Sequence, residues 1–549
     1  MAQEVQTSGI RAVAHGALEA GVEFAAGYPG GPITGIMAGL FDHASPGLHV
    51  EWCPNEKDAV AGAFGAALVG RRALAVVKHV GLSVASDAVT AAAFTGIRGA
   101  LVVATGADPG GRVSQNEMDE RPYADLFMLP MLEPSSPADA ARITRYAFEL
   151  SERTGAPVLL RVSSAFLRIS ESLPPQPSPP PDDGERSFRY EATPERTALG
   201  RFILDSNRNR QRRFARAGAD LESAGLDTVE GDATARLGIV TCGPTLAAVR
   251  AAVRSTGTAA RILCLRALHP LPERAIASFA AGVERVLVVE EIAPYLEERL
   301  ARFGIAARGK LTGDLPGQGE LDERDVAIAL RRMAGETVPP RPFADRRDEH
   351  LASKLRSRWV DGCPIAAGHR GLRAALDRMR DPLCIGGVGV VSWGCAPPFE
   401  TLFSSCCLGI SPSVVSGMYH AGTDHRELLA VMGDSSFCHS GVQSLMNAVH
   451  NRARLTFVIF DNRRTAETEE GGQPNPASPA DPDAPRVSLA ALVRACGVGQ
   501  FHEPDPFDTG ATRDAILRAV AEDRVSVVLL SAGCPTPYCT DPRRAADPA

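Results

Sequence analysis

Residues 428–462 constrain the fold more than any other stretch. LLAVMGD (428–434) is an apolar run ending in a Gly-Asp turn, and LTFVIFDN (455–462) is a second apolar run. Between them Val442, Leu445, Met446 and Val449 fall at offsets of 0, 3, 4 and 7, the spacing of one helix face. The expected unit is strand, helix, strand, with the two strands parallel neighbours. Asp434 and Asn462 then stand at one edge of the sheet, at the carboxyl ends of their strands, where ligand sites in open α/β sheets lie. An Asp carboxylate and an Asn carbonyl suit a hard cation such as Mg²⁺, which takes few protein oxygens and shares its remaining positions with phosphate. Gly433 lets the backbone approach a diphosphate closely. The plain alternative is a doubly wound core with an incidental Asp and Asn.

At 549 residues the chain has room for three or more domains. Residues 1–170 read as a first α/β domain, with strand candidates before the GYPGGP turn, at ALAVVK (73–78), ALVVATG (100–106) and PVLLRVS (157–163), and Ala-rich helical segments between them. Residues 171–236 hold the Pro-rich stretch SLPPQPSPPPDDGE and an Arg/Asp-rich helical connector. A second α/β domain spans 237–335, a second linker 336–354, and the third domain, with the opening strand–helix–strand unit, 355–549. A net charge of −7 gives no footprint for nucleic acid. No strongly apolar run of about 18 residues is present, so no membrane span is expected. MAQEVQTSGI lacks the basic and apolar regions of a signal peptide, and the twelve Cys have no secretory context, so the expected location is cytoplasmic, with reduced thiols.

GDS…DN resembles the thiamine-diphosphate signature of the transketolase-like superfamily, a GDG followed later by an Asn pair. VEWCPNEKDAV, VKHVGLSVASD, TGADPG…SQNEMDERPYA, LHPLPE…VLVVEE and MGDSSFCHSG…FDNRRTA, in this order, are similar to one family. It is the α subunit of indolepyruvate:ferredoxin oxidoreductase, among the 2-oxoacid:ferredoxin oxidoreductases. The resemblance implies a multidomain transketolase-like α/β fold of parallel sheets flanked by helices. Its domain order is pyrimidine-binding, transketolase-C-like, then diphosphate-binding. It implies thiamine diphosphate and Mg²⁺ as cofactors, with Gly433, Asp434, Ser435, Asn462 and Gly409 as cofactor contacts and Asp434, Asn462 and Arg464 at the metal. Glu56 matches the family Glu that hydrogen-bonds the aminopyrimidine N1′. His79, in KHVG where relatives have KQVG, is a second catalytic candidate, since His suits proton transfer near neutral pH. Gly31, Arg121, His369 and His439 are substrate-pocket candidates; Arg121 could pair with a substrate carboxylate or with its acidic neighbours.

The departures from the family pattern steer the expected chemistry. Cys363 stands where relatives begin CPGCPHR, but the second Cys is absent, and Val390 and Gly387 replace the Cys and Asp of a GDIGC turn. Only Cys534 and Cys539 stand near the end, where relatives carry a ferredoxin-like module. Adjacent Cys406 and Cys407 read as small buried residues. No CxxC occurs in the chain, whereas a cluster needs four converging thiolates. No iron–sulfur cluster is therefore expected. Glu467, Glu469 and Glu470 are new in a loop that covers the diphosphate in relatives. The resulting expectation is a non-oxidative, acyloin-type carboligase joining a 2-oxoacid, arylpyruvate-like by analogy, to a second carbonyl or acyl compound, as in a specialised biosynthetic pathway. The alternatives are a 2-oxoacid (indolepyruvate) ferredoxin oxidoreductase using external clusters, a simple decarboxylase, and a catalytically dead scaffold. A homodimer, with room for a β-type subunit, is the expected assembly.

Overall fold

The computed structural model describes residues 4–175, 202–353, 359–405, 407–423, 425, 427–466, 468 and 472–535. Most of the Pro-rich stretch, Cys406, Glu467, Glu469, Glu470 and Cys539 lie outside the described residues. The chain divides into two compact units, Met1–Lys354 and Leu355–Ala549.

The first unit is built on a seven-stranded sheet. Its order is Ala267–His269, Met131–Leu132, Val158–Ser163, Ala100–Ala107, Arg72–Lys78, Phe24–Gly27, His49–Trp52. Every neighbouring pair is parallel except the first, where Ala267–His269 runs antiparallel to Met131–Leu132. The central strands are apolar almost throughout because helices cover both faces. Leu74 and Val76 point into a core with Val13, Ala17, Ile143 and Phe148 of the helices Gly9–Glu19 and Pro137–Thr154. Ala75 and Val77 point the other way, onto Val60, Ala63 and Val89 of the helices Glu56–Leu68 and Ser86–Thr95.

That second core does not stop at the first sequence domain. Val240, Leu263, Leu265, Val288 and Leu296 belong to it. Leu296 comes from the helix Tyr295–Arg302 and the other four from a four-stranded sheet ordered Arg285–Val289, Leu237–Cys242, Arg261–Leu265, Thr228–Gly231. The Arg-rich connector is the helix Ile203–Ser223. Its Arg213 donates to the carbonyls of Ala93 and Phe94, which the end of the helix Ser86–Thr95 leaves without intrahelical partners.

The second unit carries a six-stranded, fully parallel sheet ordered Ser404–Ser405, Pro382–Gly386, Glu427–Gly433, Thr456–Asp461, Ser526–Ser531, Gln500–His502. Helices Pro364–Leu376 and Thr509–Val520 cover one face, and Ser411–His420 and Val442–His450 the other. The strands Glu427–Gly433 and Thr456–Asp461 are parallel neighbours. The helix between them differs from the sequence pattern. A turn Asp434–Ser436 and a π-helical turn Phe437–Gly441 precede Val442–His450. The buried stripe of that last helix is Ser444, Leu445 and Ala448, and Met446 is 54% exposed. Among the described residues no helix is long and apolar enough to cross a membrane.

Candidate active site

In the second unit the site begins where the strand Glu427–Gly433 ends. A Cβ at Gly433 would meet nothing closer than the Phe460 carbonyl at 3.9 Å, so the approach to the backbone is open. Asp434, next in the chain, is 1% exposed. The outer amide atom of Asn462 stands 2.9 Å from Asp434 Oδ1 and 3.0 Å from the backbone oxygen of Arg464. With its nitrogen turned there, Asn462 donates to both. With its oxygen there, three oxygens converge with no proton between them. Oxygens on neighbouring corners of an octahedral Mg²⁺ shell, each about 2.1 Å from the ion, lie about 3 Å apart. The two observed distances suit neighbouring corners of such a shell, in which the Asp434 carboxylate, the Asn462 carbonyl and the Arg464 backbone carbonyl would hold the ion. The guanidinium of Arg464 has no part in that oxygen set.

The electrostatics suit a divalent cation. Burial, then the nearby Asp461 carboxylate, pushes the Asp434 carboxyl well above the usual carboxylate range. A divalent ion reverses that balance, because its charge becomes the largest in the site. Asn475 Nδ2 donates to Asp434 Oδ2 at 2.8 Å, and the Ser435 hydroxyl lies 2.9 Å from that of Thr465. Gly409 has φ 78°, and a Cβ on it would overlap the Ser440 hydroxyl. Only glycine lets its loop lie on the π-helical turn, where Ser440 Oγ donates to the Leu408 carbonyl, while Ser444 Oγ of the helix that follows donates to the Gly409 carbonyl. His439 sits buried in that turn, its Nδ1 3.0 Å from Ser440 Oγ. Extra-residue turns of this kind recur at functional sites.

His369 is placed differently from a substrate contact. It is wholly buried, stacked on Phe399 and Phe460, with Nδ1 2.8 Å from the Thr401 hydroxyl. Loss of solvent lowers its pKa to about 4, so it is a neutral core residue at neutral pH. Cys363 and Val390 lie together in an apolar cluster with Val391 and Phe399, and burial raises the Cys363 thiol.

In the first unit the candidates gather at the carboxyl edge of the seven-stranded sheet. Glu56 opens the helix Glu56–Leu68, capped by Asn55, whose side chain accepts from Asp58 N at 2.9 Å. Its side chain is 3% exposed and lies over Gly81, where a Cβ would come within 2.6 Å of Glu56 Cγ. His79 follows the strand Arg72–Lys78 and is wholly buried. Its Nδ1 is 3.0 Å from the Gly106 carbonyl and its Nε2 is 3.0 Å from the Asn116 side-chain oxygen. At Gly31 a Cβ would lie 2.9 Å from the Val113 carbonyl. The loop 108–121 is held onto this edge from within, as Asp108 accepts from Val113 N and Ser114 N.

Arg121 is a correction. It is fully buried, and its guanidinium donates to both oxygens of Asp119, to Glu290 Oε2 at 2.6 Å and to the carbonyls of Glu291 and Ala293. These partners tie the 108–121 loop to the segment after the strand Arg285–Val289. A substrate carboxylate would have to displace them, so of its two readings the acidic-neighbour one holds. Sequence reasoning also passed over Asn475, Asp461, Gly81 and Asn116. Asn475 stands in PNP, a turn signal, but nothing in its spacing ties it to Asp434.

Over 97% of its length the chain is 32% identical to the indolepyruvate oxidoreductase subunit IorA of Archaeoglobus fulgidus, covering 86% of that protein. It is 34% identical to IorA of Methanothermobacter thermautotrophicus over 96% of this chain and 86% of that one. It belongs to the indolepyruvate oxidoreductase IorA family. Within this IorA-family chain, residues 15–220 match the thiamine-diphosphate-binding domain of pyruvate flavodoxin/ferredoxin oxidoreductases. Residues 387–530 match the C-terminal TPP-binding domain of thiamine pyrophosphate enzymes. Glu56, His79 and Gly81 lie in the first match, and Asp434, Asn462 and Arg464 in the second. A solved 2-oxoglutarate:ferredoxin oxidoreductase from Magnetococcus marinus shares the fold, with a TM-score of 0.50 and 18% identity over 60% of this chain and 65% of that one. The family is one of thiamine-diphosphate-dependent 2-oxoacid oxidoreductases. The carboligase expectation therefore gives way to its oxidoreductase alternative as the leading reading.

Proposed function

We propose that this protein is the thiamine-diphosphate-binding subunit of a 2-oxoacid oxidoreductase acting on indolepyruvate or a similar arylpyruvate. The observation that carries the reading is that the Asn462 amide meets Asp434 Oδ1 at 2.9 Å and the Arg464 carbonyl at 3.0 Å, a spacing that a Mg²⁺ shell would accept with the amide oxygen turned inward. Those three atoms would hold the cation, and the open backbone at Gly433 would admit the diphosphate. Thiamine diphosphate, when bound, supplies an electron sink for decarboxylation of a 2-oxoacid. The chain's own part is positioning and proton handling. Glu56 would hold a proton at the aminopyrimidine N1′, its carboxyl fixed by the capped helix start and the floor at Gly81. His79, held between the Gly106 carbonyl and the Asn116 side chain, would be the second proton-handling group. The assembly is at least a homodimer, with a β-type subunit to receive substrate electrons.

The test is an anaerobic assay of the purified complex with thiamine diphosphate, Mg²⁺, indolepyruvate and coenzyme A. Reduction of a viologen dye that depends on the 2-oxoacid is the expected result. Release of CO₂ with an aldehyde or α-hydroxyketone and no dye reduction would overturn it. That outcome is the second reading, a non-oxidative carboligase or decarboxylase. It is favoured by the absence of any CxxC and by the apolar packing that joins Cys363 to Val390.

A further inference from the structure

We propose that Asn475 is a positioning residue for the divalent-cation site, which makes residues 473–478 part of that site together with Arg464 and Thr465. The inference rests on the reading of Asp434, Asn462 and Arg464 as the cation's ligands.

Asn475 is 8% exposed, and its side chain is saturated. Its Oδ1 accepts from Ala477 N at 2.9 Å and Ser478 N at 3.1 Å. Its Nδ2 donates to Asp434 Oδ2 at 2.8 Å and to Ser435 Oγ at 3.1 Å. The two backbone donors fix which end of the amide is oxygen, so only the NH₂ can face Asp434. A hydrogen bond on Oδ2 stops the carboxylate from rotating and leaves Oδ1 aimed at Asn462 and the Arg464 carbonyl. A side chain that both donates to a carboxylate and accepts from two backbone N–H groups in this space must be an amide. Isosteric Asp keeps the acceptor and loses the donor.

The same segment supplies the third ligand. Arg464 contributes its carbonyl at the start, and Thr465 and Gln473 then exchange two backbone hydrogen bonds at 2.8 and 3.0 Å. Asn475 follows two residues later. Ligand and clamp thus flank the Thr465–Gln473 bridge, and Thr465 meets Ser435 at 2.9 Å. Outer partners that orient a metal ligand are commonly worth 10–100-fold in metal affinity.

The experiment uses the full-length protein and Mn²⁺ as a probe, with free Mn²⁺ read by electron paramagnetic resonance in the presence of thiamine diphosphate. Wild type, N475A and N475S are compared, with thermal melts of each without metal. Serine is uncharged, its hydroxyl can still accept from Ala477 N and it is too short to reach Asp434, so N475S keeps the turn if N475A does not fold. The expected result is a Mn²⁺ affinity at least tenfold weaker in N475S, with a metal-free melting point close to that of wild type. A merely structural Asn would lower the metal-free melting point and leave the affinity alone. N475S binding Mn²⁺ within twofold of wild type would overturn the inference. Wild type that fails to bind Mn²⁺ would instead remove the cation site itself, and this inference with it.

Discussion

Gly81→Ala tests how tightly Glu56, the proposed catalytic acid, is seated. The new methyl would lie 2.6 Å from Glu56 Cγ and 2.8 Å from its Oε1. Carbon atoms in contact sit about 3.5–4.0 Å apart, so the Glu56 side chain must retreat by about 1 Å. Two effects oppose each other in stability. Gly81 lies in the helix His79–Val84, where Ala is favoured over Gly by about 1 kcal/mol. Overpacking costs about 1–3 kcal/mol. The net change in folding stability is therefore at most about 2 kcal/mol. Catalysis has no such compensation, because a displacement of about 1 Å can cost about 100-fold, or roughly 2.7 kcal/mol in the barrier. The assay is release of labelled CO₂ from a carboxyl-labelled 2-oxoacid, which reports turnover whatever becomes of the electrons. Expected are a rate about 100-fold down, near-normal calorimetric binding of thiamine diphosphate, and a nearly unchanged melting curve. A variant that keeps more than a third of wild-type turnover would refute both the seat and the role given to Glu56.

Three further outcomes are expected. Arg121→Met leaves Asp119 and Glu290 buried without their cation and should destabilise by about 3–5 kcal/mol in a denaturant titration; a normally stable variant with a raised KM would restore the substrate role. His369 has its pKa lowered from 6.5 to about 4, so the unfolded chain binds the extra proton first as pH falls. Stability should therefore drop from pH 6.5 towards 4 by up to roughly 1.4 kcal/mol per pH unit, and urea titrations of His369→Gln should lack that contribution. Gly409→Ala, strained at positive φ and overlapping Ser440, should cost about 1–3 kcal/mol and weaken thiamine diphosphate binding by calorimetry; unchanged affinity would detach that loop from the site.

The parallel pair Glu427–Gly433 and Thr456–Asp461 was legible because two long apolar runs flank a helix-length gap, and few topologies accommodate that. Placing Asp434 and Asn462 at one edge followed from strand direction alone. What composition and spacing could not carry was which atom of a residue faces the site. Arg464 reads as a cation, yet its backbone oxygen is what meets Asn462. Arg121 reads as a recognition group among acids, but its partners Glu290 and the Glu291 and Ala293 carbonyls come from far along the chain. Met446 fits an ideal helix face, and a preceding π-helical turn, which no periodicity announces, accompanies its exposure. Asn475 is tied to Asp434 by a fold-back of the chain, and such closure leaves no regular interval to read.

The strand Ala267–His269 closes a sheet whose other members all precede residue 164. On the ribosome, the first α/β domain therefore emerges with one border unfinished until the next stretch of chain has been made. A gene fragment ending between them would leave Met131–Leu132 as a bare edge, open to pairing with another chain. Attempts to swap or transplant this half of the enzyme should carry residues up to at least 269 along with it.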